Sequence, residues 1–186
     1  MTTRLLYIGS LRPGGNGPDW VRAFERNGLT VQTLDLRKYV LGANRLAQAI
    51  ARRTGLGMQV ARLNRDLKLI ASRENFDFVV INKGMYVQGD TVRQLKKRSS
   101  RGTVLHIAID SMFTDNRCRH FLSSIPHYHT LFTDKRFEIS AYRDAGAKKV
   151  IPFVQPYGLR FDANHEIADE RKYAPKSDVC FIGHWQ

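Results

Sequence analysis

Residues Phe76 to Asp110 read FDFVVINKGMYVQGDTVRQLKKRSSRGTVLHIAID, and the architecture follows from them. Phe78-Val79-Val80-Ile81 is a nearly continuous apolar run rich in β-branched side chains, followed at once by Asn82-Lys83-Gly84. A strand covered on both faces has this composition, whereas a strand wet on one face would alternate. Residues 88–98 carry apolar side chains at helical spacing, Val92 and Leu95, and end in the basic pair Lys96-Lys97. Thr103 to Ile109 is a second buried strand, closed by Asp110-Ser111. Strand, crossover helix and strand make a right-handed βαβ unit. The polar groups stand just past the carboxyl ends of the strands, the edge at which open parallel sheets bind ligands.

The same alternation extends in both directions. Arg4 to Gly9 (RLLYIG) reads as a first buried strand that runs into Ser10-Leu11-Arg12-Pro13-Gly14-Gly15-Asn16-Gly17-Pro18. A glycine-rich loop between strand and helix lets backbone amides approach an anion, although glycine clusters also shape plain surface turns. Asp19 is the expected N-cap of a helix through Trp20, Val21 and Phe24, with Gly28 as its stop. Leu29 to Leu36 alternates and predicts a strand nearer the sheet edge. Residues 43–74 are helical in period with a break at Thr54-Gly55-Leu56-Gly57. They carry seven Lys and Arg against Asp66 and Glu74. Such a segment is a solvated basic face, lies on an anionic membrane or tracks a phosphate backbone. Downstream, 115–124 is a short helix or turn, 127–133 a strand, 137–145 a helix and 149–154 a strand. The expected class is α/β, an open, mostly parallel, Rossmann-like sheet with helices on both faces.

Composition limits the function. The chain has 186 residues, 42% of them hydrophobic, enough for one good core. Thirty Lys and Arg against seventeen Asp and Glu give a net charge of +13, which calls for an anionic partner of some kind. Cys118 and Cys180 lie far apart without metal-type spacing and read as free thiols in a reducing cytoplasm. No run approaches the roughly 18 apolar residues of a membrane span, so the chain reads as soluble. Aromatic residues are not interleaved with the basic ones in any recognition motif, which argues against nucleic acid as the partner.

Past Gln155-Pro156-Tyr157-Gly158, residues 159–176 are polar and irregular, and Asp178-Val179-Cys180-Phe181-Ile182-Gly183 opens another strand. The run YHTLFTDKRFEISAYRDAGAKKVIPFVQPYG followed by SDVCFIGHW resembles the inter-domain region of GT-B fold glycosyltransferases. It is most similar to the group related to the spore-maturation protein CgeB. The features that carry the resemblance are Thr133-Asp134-Lys135, Gly146-Ala147 and Val179-Cys180-Phe181-Ile182-Gly183, supported by the strand ends at Asn82-Lys83-Gly84 and Ile109-Asp110-Ser111. It covers roughly residues 75–186, with general architecture alone before that. Ser111 stands where an acidic residue often follows the Asp, and His184 where a small residue often follows the Gly.

The resemblance implies a two-domain enzyme that moves a sugar from a nucleoside diphosphate to an acceptor hydroxyl without a tightly bound metal or other cofactor. Residues 1–156 would be the acceptor-side domain, 157–176 a linker and 177–186 the first strand of a donor-binding domain that the chain lacks. The nucleotide-sugar would then bind mainly to the absent domain, and this chain alone should be inactive. The acceptor is not specified. A cytoplasmic enzyme with peripheral contact to an anionic membrane is one expectation. The competing reading is a basic α/β module that binds nucleic acid or an anionic surface without catalysis.

Candidate site residues follow the strand ends. Gly9, Ser10, Gly14, Gly15 and Asn16 would face the cleft and approach a diphosphate. Lys83 and Gly84 would contact the acceptor or a phosphate, with Ser111 beside them. Asp110 is the candidate catalytic base for an acceptor hydroxyl, and it is equally placed to cap the turn that follows it. His106, inside an apolar strand, reads as a satisfied core residue. His120, His127 and His129 lack the helix spacing of metal ligands, so no metal site is expected.

Overall fold

The computed structural model describes residues 2–39, 44–114 and 116–155, with Arg52 and Arg53 as backbone only. The linker expected at 157–176 and the strand at 177–186 lie outside the described residues, as does Asp115. The elements are β1 (Arg4–Gly9), α1 (Asn16–Arg26), β2 (Thr30–Asp35), α2 (Arg45–Thr54), α3 (Met58–Arg73), β3 (Phe78–Asn82) and α4 (Gly89–Arg98). They continue as β4 (Thr103–Ala108), α5 (Arg119–Ser124), β5 (Thr130–Thr133), α6 (Ile139–Asp144) and β6 (Val150–Pro152).

The six strands form one sheet in the order β2-β1-β3-β4-β5-β6. Every neighbouring pair is parallel, with Leu6 opposite Val79 and Ile81 opposite His106. Successive strand residues point to opposite faces, so each strand feeds two cores. Leu6, Ile8, Val79, Ile81, Val104 and Leu131 pack with Leu63 and Leu67 of α3, Val92 and Leu95 of α4, Phe121 of α5 and Tyr142 of α6. On the other face Leu5, Tyr7, Val80 and Ile107 meet Trp20, Val21 and Phe24 of α1. The fold is therefore the open α/β sheet with helices on both faces that the periodicity predicts. Each fully buried Leu or Ile in these clusters contributes about 1.5–3 kcal/mol. The α1 side is the more thinly covered. There Leu5, Trp20, Phe24, Phe78, Phe132 and Phe153 line a wholly apolar groove of about 450 Å³.

Three local expectations are corrected. The N-cap of α1 is Gly15, not Asp19. Gly14 takes φ +81° and the Gly15 amide donates to the Arg12 carbonyl at 2.9 Å. The loop therefore closes early, and Asp19 falls inside the first turn. The strand expected from His127 starts at Thr130 because Ile125–His127, containing Pro126, forms a single 3-10 turn. His106 is fully buried, with ring centroids 5.0 Å from those of Phe121 and of Tyr128, but neither of its ring nitrogens has a hydrogen-bond partner. It is a core residue, as its apolar strand implies, yet not a satisfied one.

The order reverses between β1 and β3. From β1 the chain crosses through α1 on one face, and from β3 through α4 on the other, so the two loops part at their strand ends. In open α/β sheets this parting leaves a crevice.

Candidate functional site

A cleft of about 470 Å³ occupies that crevice. Ser10, Arg12, Gly15, Asn16 and Gly17 form one wall, and Asn82 through Tyr86 form another. Ile109, Asp110 and Asn116 close the third side, over Leu36 and Leu63. The chain brings together six of the expected positions here: Ser10, Gly15, Asn16, Lys83, Gly84 and Asp110.

Close packing sets the first wall. A Cβ on Gly17 would fall 1.9 Å from the Ser10 carbonyl oxygen, so only glycine lets the start of α1 sit against the end of β1. The Leu11 amide donates to the Asp35 carboxylate at 3.2 Å and ties the loop to the end of β2. Burial pushes the Asp35 carboxyl up, but hydrogen bonds from the Arg37 side chain and amide and from Leu11 outweigh it and hold the group below its ordinary value. Below the cleft, Asn82 Nδ2 donates to the Tyr7 hydroxyl at 2.8 Å. Burial pushes this phenol up to about 12, with the Asn82 hydrogen bond opposing, so it stays protonated under any neutral condition.

Lys83 occupies an unusual backbone position. Its φ is 63°, and no other non-glycine among the described residues has a positive φ. A left-handed backbone costs an L-residue about 1–2 kcal/mol. The conformation is held by the Lys83 amide, which donates to the Ile107 carbonyl at 2.9 Å. Beyond the end of β4, the Lys83 Nζ donates to Asp110 Oδ2 at 2.6 Å. Both side chains are part exposed, 40% and 46%, so the pair adds at most about 1 kcal/mol of stability. Strain held beside an ion pair of little stabilising value is the pattern of a functional position.

The turn after Asp110 has its own anchor. Glu138, buried between β5 and α6, accepts from the Met112 amide at 3.1 Å, the Phe113 amide at 3.2 Å and the Ser111 hydroxyl. The capping role open to Asp110 is thus filled by Glu138, and the Asp110 carboxylate faces the cleft. Asn116 Nδ2 donates to the Ser111 carbonyl at 2.7 Å and brings its own side chain to the rim. Across the cleft, the buried Asn64 of α3 fixes the β3–α4 loop. Its Nδ2 donates to the Val60 and Tyr86 carbonyls at 2.8 and 2.9 Å, and its Oδ1 accepts from the Gln88 amide and the Thr91 hydroxyl, both at 2.8 Å.

Three expected residues do not line the cleft. Gly9 lies under the Tyr7 ring, where a Cβ would come within 2.7 Å of it. Gly14 shapes the turn. Ser111 turns its hydroxyl to Glu138 and Thr114. Arg12, Asn82, Tyr86 and Asn116 were not singled out by the sequence. A basic residue inside a glycine loop and an Asn closing a strand are visible signals for the first two. Among the described residues, no group of three His, Cys, Asp or Glu side chains is placed to hold a metal ion.

The arrangement is a carboxylate with a fixed cationic partner, opposite an arginine and the start of a helix, at the open edge of a parallel sheet. It can accept a proton from a hydroxyl at Asp110 and place an anionic group near Arg12. No protein-family model matches the chain, and no curated protein matches it significantly.

Proposed function

We propose that this chain is the acceptor-side domain of a GT-B type glycosyltransferase, which moves a sugar from a nucleoside diphosphate to an acceptor hydroxyl. The observation that carries the reading is the Lys83–Asp110 pair at 2.6 Å, projecting into a cleft at the point where the strand order reverses. An acceptor hydroxyl entering between β3 and β4 replaces Lys83 Nζ as the donor to Asp110. Asp110 then takes its proton as the oxygen attacks the anomeric carbon. Lys83 holds the carboxylate oriented beforehand. The leaving diphosphate carries away the bond's electron pair, and Arg12 with the start of α1 offsets its charge from this side of the cleft. The donor's nucleotide is held mainly by a second domain.

The reaction type is tested by giving the natural protein that contains this chain a panel of nucleoside-diphosphate sugars with a mixture of hydroxyl acceptors. Release of nucleoside diphosphate from one sugar donor, raised by acceptor, supports the reading. No turnover of any donor, together with duplex DNA binding that falls steeply with salt, replaces it with a nucleic-acid-binding module.

A further inference from the structure

We infer that the elbow between α2 and α3 seats this protein on an anionic lipid bilayer, a property independent of sugar transfer. Helices on a protein surface ordinarily turn their apolar stripe inward. Here four large apolar side chains face outward. Leu46 is 72% exposed, Ile50 47%, Leu56 63% and Met58 87%, all within thirteen residues of chain. Leu46 and Ile50 stand one turn apart on α2. Ala47, Ala51 and Val60 take the inner positions, and Asn44, Ile50 and Met58 edge an apolar groove of about 360 Å³. The bend that presents these side chains is built in. Gly55 ends α2 at φ +69°, Gly57 precedes α3 at φ +139°, and the Gly55 carbonyl contacts the His120 ring of α5.

Charge selects the partner. From Leu36 to Arg65 there is no Asp or Glu, and there are seven Lys and Arg. Arg37 is paired with Asp35, and Arg62 and Arg65 share Asp66 at 3.8 and 3.2 Å, so the region stays strongly positive. Exposed Arg45 directly precedes Leu46. Exposed apolar side chains within a segment of strongly basic sequence match a bilayer whose surface is anionic and whose interior is apolar. A second copy would bring two basic elbows face to face, which like charge disfavours. A nucleic acid would leave Leu46 and Met58 in water.

The test is co-sedimentation of the full chain with vesicles of phosphatidylcholine alone or of phosphatidylcholine mixed with phosphatidylglycerol. The expected result is binding to the mixed vesicles at least about tenfold tighter than to the neutral ones. The triple variant Leu46→Gln, Ile50→Gln, Met58→Gln, with an unchanged circular dichroism spectrum, should bind the mixed vesicles at least about tenfold more weakly. The inference is overturned if the chain binds neither vesicle, or if the triple variant binds the mixed vesicles as well as the parent does. It is overturned equally if the three substitutions instead abolish a dimer or duplex DNA binding.

Discussion

Lys83 holds a left-handed backbone while its ammonium reaches Asp110, and the two properties can be separated by substitution. Lys83→Ala removes the ion pair and keeps the backbone cost, whereas Lys83→Gly removes both. The glycine variant should therefore be about 1 kcal/mol more stable than the alanine variant by denaturant titration. Equal stability would mean that Lys83 does not adopt the positive φ. His106 makes a prediction with a pH sign. Burial pushes its imidazole from 6.5 down to about 3, so the folded chain holds it neutral. Below about pH 6.5 the unfolded chain binds a proton that the fold refuses. Stability is complete above that pH and falls by up to about 1.4 kcal/mol per unit as pH drops toward 3. His127, held low by burial and by Arg93, Lys148 and Lys96, adds a smaller loss of the same sign. His106→Leu removes two unpartnered nitrogens from the core, so it should leave stability at pH 7 unchanged or raised and flatten the acid limb. Retention of the full slope between pH 6.5 and 4 in that variant would assign the acid sensitivity elsewhere.

The walls of the cleft are held by side chains far from it in sequence. Asn64 on α3 uses both its donors and accepts twice, and three of its four partners lie in Tyr86–Thr91, the segment leading into α4. Asn64→Ala leaves the Tyr86 carbonyl, the Gln88 amide and the Thr91 hydroxyl without this partner at a buried junction. The expected cost is about 3 kcal/mol or more in a denaturant titration. A loss below about 1 kcal/mol would show that water reaches these groups. Glu138 does the equivalent for the turn after β4. Neither residue could be recognised from sequence. Asn64 sits in a helix of ordinary amphipathic pattern, and Glu138 follows Arg136-Phe137 in what reads as an exposed helix start. Their roles exist only once α3, the β3–α4 loop and the β4–α5 turn meet. Gly17 differs. It belonged to a visible glycine cluster, but the reason for it, contact with the Ser10 carbonyl, required the strand and helix to be placed.

At the scale of the whole molecule, the sheet carries the cleft while the α2–α3 elbow combines exposed apolar side chains with basic sequence. The sheet and its two cores were legible because Leu5–Ile8, Phe78–Ile81 and Val104–Ala108 are apolar runs of strand length between turn signals. Lys83 and Asp110 were legible because each directly follows such a run, and the parallel register puts both at one edge. Asn116 was not, because an irregular turn rather than a periodic element decides where it points. The basic bias of 43–74 was visible in sequence, whereas the outward apolar side chains of the elbow depended on which side of α2 met the core. The central claim rests on Asp110 as the group that takes the acceptor's proton. The most direct test compares the natural protein that contains this chain with its Asp110→Asn variant under saturating donor and acceptor. The account predicts kcat lower by about 10²–10⁴-fold, with donor binding retained. Transfer at the parent rate in the variant would contradict it and leave the Lys83–Asp110 pair as an ordinary surface contact.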